Sequence, residues 1–158
     1  MTENSHISDD ALQSRGICIC NRFRRAARLT SKVYDRALKP VGLRNSQFTA
    51  LVTLDRYGPV AIGELAELMA TDGTTLTRNL EVLARRGLVE DVAADDARTR
   101  VVAITDLGKQ TRVAAVPLWR EAQVQVLEAV GSKSWSEMRV ELDKIEEACA
   151  RPEPRNLD

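Results

Sequence analysis

The strongest constraint on the fold is a pair of short amphipathic segments separated by a polar turn. Apolar residues recur at helical spacing from Ile62 to Met69. Three leucines continue at helical spacing in the next segment, namely Leu76, Leu80 and Leu83. Asp72 is suited to cap this second helix, and Gly87 is suited to end it. The pattern therefore predicts two short helices joined by a tight turn.

Two β-prone runs follow the second helix. Residues 88–93 (LVEDVA) and 100–104 (RVVAI) contain several valines, and the polar loop ADDART lies between them. Aspartates in such a loop favour an Asx turn, so the two runs predict a β-hairpin. Two short helices followed by a hairpin are typical of a winged helix-turn-helix, which we assign to residues 45–104.

Long helical segments flank this unit. Apolar residues recur at helical spacing over residues 9–41 and again over residues 105–150, with a break at Gly131-Ser132. A chain of 158 residues fits one domain, which we place over residues 1–158. The predicted fold is therefore mainly α (α+β), with about six helices and a small β-hairpin wing.

The outward face of the second short helix, residues 73–86, carries hydrogen-bond donors. The side chains opposite the leucines, or on the flanks of that face, are Thr74, Thr75, Thr77, Arg78, Glu81 and Arg85. Hydroxyl and guanidinium groups bind phosphates and guanine edges, and a helix fits the major groove. All of these residues except Glu81 are therefore candidate DNA contacts. The alternative is an ordinary solvated helix face.

The loop of the hairpin carries a second set of cations. Arg98 and Arg100 are the only positive residues there, among several acids, and we predict that both contact DNA. A carboxylate at Asp96 would orient the Arg98 guanidinium toward a narrow minor groove, where the potential is most negative. The alternative is that Arg98 only neutralises Asp95 or Asp96 within the turn.

The segment from Gly42 to Gly108 resembles the MarR family of bacterial transcription factors. The matching motifs are GL (42–43), QF (47–48), GPVAI (58–62), LA (65–66), TTLTR (74–78), L and RGLV (83 and 86–89), DAR (96–98), and IT with G (104–105 and 108). The resemblance implies a DNA-binding transcriptional regulator, a repressor, that acts as a homodimer. Residues 9–41 and 105–150 would interlock as a dimerisation base. Each subunit would then present one recognition helix and one wing to a palindromic operator, with half-sites one helical turn apart.

The resemblance also implies an effector pocket between the dimerisation helices and the winged domain. A small phenolic or other amphipathic molecule would occupy it. Candidate lining residues are Phe23, Ala27, Tyr34, Phe48 and Trp119. For Trp119 and Trp135, packing in the core or at the dimer interface is the simpler interpretation.

The stretch GICIC, residues 16–20, holds two of the three cysteines. Residues i and i+2 of a helix lie about 200° apart, which argues against a disulfide between Cys18 and Cys20. The same separation argues against a shared metal ion unless the helix unwinds. A metal-sensing repressor that uses both cysteines is one alternative, for which the chain offers a single histidine, His6.

A redox role is a second hypothesis for Cys20. Cys20 and Tyr34 fall on one heptad ridge roughly 21 Å apart along the helix axis, so they can meet only between two chains. This arrangement resembles the organic-hydroperoxide-sensing branch of the MarR family, whose reactive cysteine lies in the first helix and accepts hydrogen bonds from tyrosines of the other subunit. The second tyrosine of that branch falls at Asn45 here, which is a departure. The alternative is that Cys20 is a small buried apolar residue.

Charge and composition bear on the class of function. The net charge is zero, yet residues 15–44 hold nine Lys and Arg against one acid, so the neutral total conceals a basic region. Three cysteines are too few for a disulfide framework, and no apolar run is long enough to span a membrane. We therefore expect a cytoplasmic protein. The hypothesis of a DNA-binding regulator further implies a protein without cofactor or catalytic activity. The alternatives are a thiol peroxidase that uses Cys20 and a winged module that binds only protein.

Overall fold

A computed structural model of the chain describes residues 18–93, 96 and 98–150. Its elements, in chain order, are α1 (Ile19–Leu38), a 3-10 turn (Lys39–Val41), α2 (Asn45–Tyr57), β1 (Val60–Ala61), α3 (Ile62–Leu68), α4 (Gly73–Arg85), β2 (Val89–Val92), β3 (Val101–Ile104), α5 (Asp106–Val130) and α6 (Ser132–Ala150). The described residues thus contain six α-helices and a small antiparallel sheet. The predicted fold class, mainly α with a winged helix-turn-helix, is confirmed.

Local signals set the bounds of α4. The Asp72 carboxylate accepts a hydrogen bond from the Thr75 amide at 2.8 Å, which caps the first turn. Gly87 follows the helix at φ +69°, and its amide and that of Leu88 donate back to carbonyls of the last turn. The predicted cap and stop are both confirmed.

The wing is a three-stranded sheet in the order β1-β3-β2. β2 and β3 form the predicted hairpin, in which Val89 lies opposite Ile104 and Val92 opposite Val101. The sequence predicts no strand at β1, because a two-residue segment after Gly58-Pro59 shows no alternation. It becomes a strand only because β3 lies beside it and pairs with it.

One aliphatic core unites the winged helix-turn-helix with the flanking helices. Its fully buried large side chains are Leu38, Leu51, Leu54, Leu65, Leu76, Leu80, Leu83 and Val102. They come from α1, α2, α3, α4 and β3, while Ala115 brings α5 into the same cluster. Because all three leucines of the α4 stripe are buried, the opposite face of α4 is turned to solvent.

The start of α5 is attached to the start of β2. Thr105 caps α5, because its Oγ1 accepts a hydrogen bond from the Gly108 amide at 3.0 Å. The same hydroxyl donates to the Gly87 carbonyl at 2.6 Å. A Cβ on Gly108 would overlap the Leu88 carbonyl oxygen. The backbone of α5 therefore meets the wing at a contact that has no room for a side chain.

Several predicted helix bounds need correction. The first helix ends at Leu38 rather than at residue 41, since the chain tightens into a 3-10 turn at Pro40; its predicted start at residue 9 lies outside the described residues. The second helix begins at Asn45, whose amide donates to Asp35 Oδ1 at 2.7 Å. The last helix begins at Ser132, so only Gly131 of the predicted Gly131-Ser132 break lies outside a helix.

The turn between α3 and α4 holds Ala70 at φ +46°, a left-handed conformation that disfavours a side chain. We predict that Ala70→Gly raises the free energy of unfolding by about 1 kcal/mol, because relief of this strain outweighs the larger entropy of glycine in the unfolded chain. Urea denaturation followed by circular dichroism measures the change. The control is Ala114→Gly, at an exposed position inside α5, which should lower the same free energy by about 1 kcal/mol. A loss of stability in both variants would contradict the prediction.

Candidate nucleic-acid interface

The exposed face of α4 carries the residues that the sequence singles out. Thr74, Thr75, Arg78 and Arg85 are exposed, and Thr77 is half-buried with its hydroxyl donating to the Gly73 carbonyl at 2.7 Å. Packing of the leucines therefore places four of the five candidate side chains in solvent. Arg85 lies in the last helical turn, farthest from the first-turn threonines.

A shallow depression runs along the first half of this face. Its lining residues are Gly73, Thr74, Thr77, Arg78 and Glu81. Small side chains at its start and the Arg78 guanidinium beyond them form a surface onto which a base edge or a phosphate can pack. Glu81 lies at the far end, where its negative charge would disfavour close approach of a phosphate.

The N-terminal end of α4 is held by Asp72. Hydrogen bonds with Thr75 hold the pKa of the Asp72 carboxyl below its usual value. The carboxylate is therefore ionised at neutral pH, and the first turn, which carries Thr74 and Thr75, keeps its orientation. Helix geometry thus positions the hydroxyls of the candidate surface.

In the wing loop, the Asp96 side chain bonds the backbone. Its Oδ1 accepts a hydrogen bond from the Arg98 amide at 2.9 Å, and its carbonyl accepts one from the Thr99 amide at 2.9 Å. This confirms an Asx-type turn, in which the Asp96 carboxylate bonds the Arg98 amide. That Asp96 orients the Arg98 guanidinium toward DNA stays a prediction. Arg98 is exposed, and Asp95 lies outside the described residues.

Arg100 does not extend freely from the wing. Its Nε donates to Asp91 Oδ1 at 2.8 Å and its Nη2 to Asp91 Oδ2 at 3.3 Å. The sheet register explains this pair: Asp91 lies opposite Val102, so Arg100, two residues away, is its diagonal neighbour on the same face. Arg100 is therefore engaged at the base of the loop, whereas Arg98 lies nearer its tip.

A second surface of interest is a cavity of about 350 Å³ between α2 and α5. Its lining residues are Phe48, Thr49, Val52, Arg112, Val116 and Trp119. The rings of Phe48 and Trp119 lie 6.2 Å apart between centroids. On its polar side, Arg112 Nη2 lies 2.9 Å from Asp55 Oδ2, and Arg112 Nε is buried without a hydrogen-bond partner among the described residues.

The five predicted pocket residues do not line one pocket of a single chain. Phe48 and Trp119 line this cavity, whereas Phe23 and Ala27 line a groove of about 610 Å³ between α1 and α6. Tyr34 lines neither of these two cavities; it is buried, and its hydroxyl donates to Gln123 Oε1 at 2.5 Å. This burial raises the pKa of Tyr34. The residues separate because α1 packs along α5, whereas the N-terminal half of α1 borders the groove that Met138 and Leu142 of α6 also line.

The cysteine geometry differs from the predicted one. Cys18 precedes α1 with backbone angles outside the helical region, φ −44° and ψ 126°, so the helical separation assumed between Cys18 and Cys20 does not apply. Both thiols, and that of Cys149, are free and exposed in the single chain. Tyr34, the predicted neighbour of Cys20 from a second chain, is bonded to Gln123 of its own chain.

Two arginines of structural importance are absent from the predicted set. Arg86 binds the carbonyls of Val41 and Gly42, and Arg112 pairs with Asp55. Their partners lie more than 40 residues away in sequence, so neither periodicity nor a local motif reveals the contacts.

Within residues 18–93, 96 and 98–150, no three His, Cys, Asp or Glu side chains cluster as metal ligands. No described helix is both long and apolar enough to cross a membrane.

Comparisons with known proteins agree with this architecture. A sequence model of the MarR family matches residues 41–99. Two HTH-type transcriptional regulators of Bacillus subtilis (strain 168) are similar to the chain. YxaD is 33% identical over 110 residues, which cover 68% of this chain and 73% of YxaD. YwoH is 29% identical over 87 residues, which cover 55% of this chain and 64% of YwoH.

Solved structures give the same result. The M. tuberculosis transcriptional regulator MosR, in complex with DNA, is 40% identical, with a TM-score of 0.72 over 85% of this chain and all of that chain (100%). The apo form of E. coli MarR shares the fold at 19% identity, with a TM-score of 0.68 over 82% of this chain and 98% of that chain.

Proposed function

The chain belongs to the MarR family of transcriptional regulators, and we propose that it binds double-stranded operator DNA through α4 and the β2–β3 wing. The observation that carries this proposal is the exposed face of α4, where threonine hydroxyls and Arg78 surround a shallow depression. A structure of the 40% identical MosR with DNA supports it. In this proposal α4 enters the major groove, and Arg98 at the wing reaches the adjacent minor groove.

The DNA-bound species in this proposal is a homodimer. Large apolar side chains are exposed on the two flanking helices, among them Ile19 (73% exposed), Phe23 and Leu29 on α1 and Met138, Val140 and Ile145 on α6. A second copy that packs against α1 and α6 would remove this surface from water. Two-fold symmetry then presents two α4 helices to a palindromic operator, with half-sites about 10 base pairs apart.

Repression ends in this proposal when a small molecule binds between α2 and α5. The cavity of about 350 Å³ lies within the range of about 300–1,000 Å³ typical of ligand sites. Its aromatic walls and the Arg112 guanidinium suit a phenolic or other amphipathic molecule. Two α4 helices that shift by a few ångströms no longer fit consecutive major grooves. A coupling free energy of about 1–3 kcal/mol between effector binding and DNA binding suffices for this release. The protein acts in the cytoplasm as a regulator, not an enzyme.

The test of DNA binding is a salt titration. A fluorescent duplex from upstream of the chain's own gene is titrated with the protein at several salt concentrations, and the anisotropy gives the affinity. We expect the affinity to fall linearly with salt on a double-logarithmic plot, because each phosphate contact releases counterions. Footprinting should show two protected half-sites. Absence of binding at low salt, or binding independent of salt, would exclude the proposal.

Thiol oxidation is a second route to release, supported by the position of Cys20 in the first turn of α1 and by the exposure of its thiol in the single chain. A hydroperoxide would oxidise the Cys20 thiolate to sulfenic acid and be reduced to the alcohol. We predict that cumene hydroperoxide releases DNA from the wild type, that Cys20→Ser prevents release, and that Cys149→Ser does not. Anisotropy of the preformed complex measures each case. Retention of DNA by the oxidised wild type would eliminate this route and leave the effector route in place.

A further inference from the structure

The ends of two helices converge on one guanidinium. Arg86, the residue that follows α4, donates from Nη1 to the Gly42 carbonyl at 2.5 Å and from Nη2 to the Val41 carbonyl at 3.0 Å. Both carbonyls belong to the turn that ends α1. One side chain therefore joins the C-terminal end of the proposed recognition helix to the C-terminal end of α1.

The backbone of this turn exposes the two carbonyls. Gly42 lies at φ +66°, and its amide donates to the Lys39 carbonyl at 2.9 Å while the Leu43 amide donates to the Leu38 carbonyl at 3.3 Å. This closes the turn and leaves the Val41 and Gly42 carbonyls for a side-chain donor. A Cβ on Gly42 would lie 3.2 Å from Arg86 Nη2, so glycine also leaves room for the guanidinium.

Arginine fits this position for two reasons. The planar guanidinium bonds two successive carbonyls at once in a fixed geometry. A lysine ammonium on its flexible side chain would bond them in a less fixed geometry. Its charge also lies at the negative ends of two helices, where a cation is favoured. The neighbouring Arg85 is exposed on α4 and belongs to the predicted DNA-facing set.

We propose that Arg86 is a positioning residue, which sets the orientation of α4 relative to α1 and thereby determines DNA affinity without touching DNA. The proposal rests on the proposed function of α4 in DNA binding. The leucine stripe holds α4 against the core along its length, and Arg86 fixes its C-terminal end. Loss of the two bonds lets this end move, so fewer molecules present α4 in the orientation that fits the major groove.

The affinity test compares neighbouring arginines. We expect Arg86→Gln to weaken binding of the upstream duplex about tenfold and to leave the salt dependence unchanged, since no phosphate contact is lost. Arg85→Gln should instead reduce the salt slope by about 0.9 if it contacts a phosphate. Arg86→Lys, which keeps the charge but not the planar guanidinium, should restore only part of the affinity. A reduced salt slope in Arg86→Gln, or wild-type affinity, would overturn the proposal.

A distance measurement tests positioning without DNA. Spin labels are attached at Lys32→Cys on α1 and Glu81→Cys on α4, in a protein lacking its native cysteines and diluted with unlabelled protein. We expect Arg86→Gln to broaden the distribution of distances between the two spin labels. The measurement is made at a temperature where circular dichroism shows a folded chain. An unchanged distribution would overturn the proposal. If Arg86→Gln melts below that temperature, Arg86→Lys takes its place. If the wild type does not bind DNA, the proposed function fails, and this measurement still decides whether Arg86 orients α4.

Discussion

Replacing Gly108 by alanine should strongly destabilise the folded chain. The added Cβ would overlap the Leu88 carbonyl oxygen and lie 2.7 Å from Ile104 Cγ1. Neither neighbour can move cheaply, because Leu88 is buried backbone at the start of the wing and Ile104 ends β3. We expect the free energy of unfolding to fall by about 3 kcal/mol or more, against a total of about 5–15 kcal/mol for a typical domain.

Urea denaturation followed by circular dichroism measures this loss. Gly63→Ala is the matched control, because Gly63 lies inside α3 and a Cβ added there would have no neighbouring atom within 4 Å. The free energy of unfolding of Gly63→Ala should rise by about 0.5–1 kcal/mol, since alanine is the better helix former. The two substitutions are chemically identical and differ only in what surrounds them. A wild-type denaturation midpoint for Gly108→Ala would contradict the close approach of α5 to β2.

The second large effect is expected at the proposed DNA interface. Arg78→Ala should weaken operator binding by about 10- to 100-fold, equivalent to about 1–3 kcal/mol. Arg78 is exposed on the depression of α4, so its loss should leave the fold intact and remove only a contact. If Arg78 reads a guanine edge, discrimination between operator variants should fall as well; if it binds a phosphate, the salt slope should fall by about 0.9.

Three further variants make this measurement specific. Arg98→Ala, at the wing loop, should weaken binding, whereas Arg100→Ala should have a smaller effect because Arg100 already pairs with Asp91. Lys133→Ala removes the same single charge from α6, away from α4 and the wing. Anisotropy titrations at fixed salt compare all four. Equal losses in Arg78→Ala and Lys133→Ala would indicate a general charge effect and contradict a specific role for Arg78.

The elements that could be predicted from sequence are those formed by local interactions. The α4 cap at Asp72 and the Thr105 cap of α5 each join residues three apart, and the leucine stripe repeats every three or four residues. Such signals lie within one helical turn of the chain. The hairpin followed from its β-prone runs and an Asp-containing loop for the same reason.

The features that could not be predicted depend on segments far apart in sequence. β1 is a strand only because β3 lies beside it. Arg98 and Arg100 are alike in sequence, yet the register of β2 and β3 pairs Arg100 with Asp91 and leaves Arg98 exposed. Four of the five predicted effector residues are divided between two cavities, and Tyr34 lines neither of them. Helical spacing predicts which residues share a face of a helix, but not which part of the fold that face contacts.

Three features can be predicted from the sequence alone: the winged helix-turn-helix, the bounds of α4, and the face of α4 that is turned to solvent. These depend on hydrogen bonds and periodicity within a few residues. Three contacts are seen only in the folded chain: Arg86 bonds the turn after α1, Arg112 pairs with Asp55, and α5 meets β2 at Gly108. Each of those contacts joins residues that burial of a common core brings together. Because these residues are far apart in sequence, no local pattern in the chain predicts the contact.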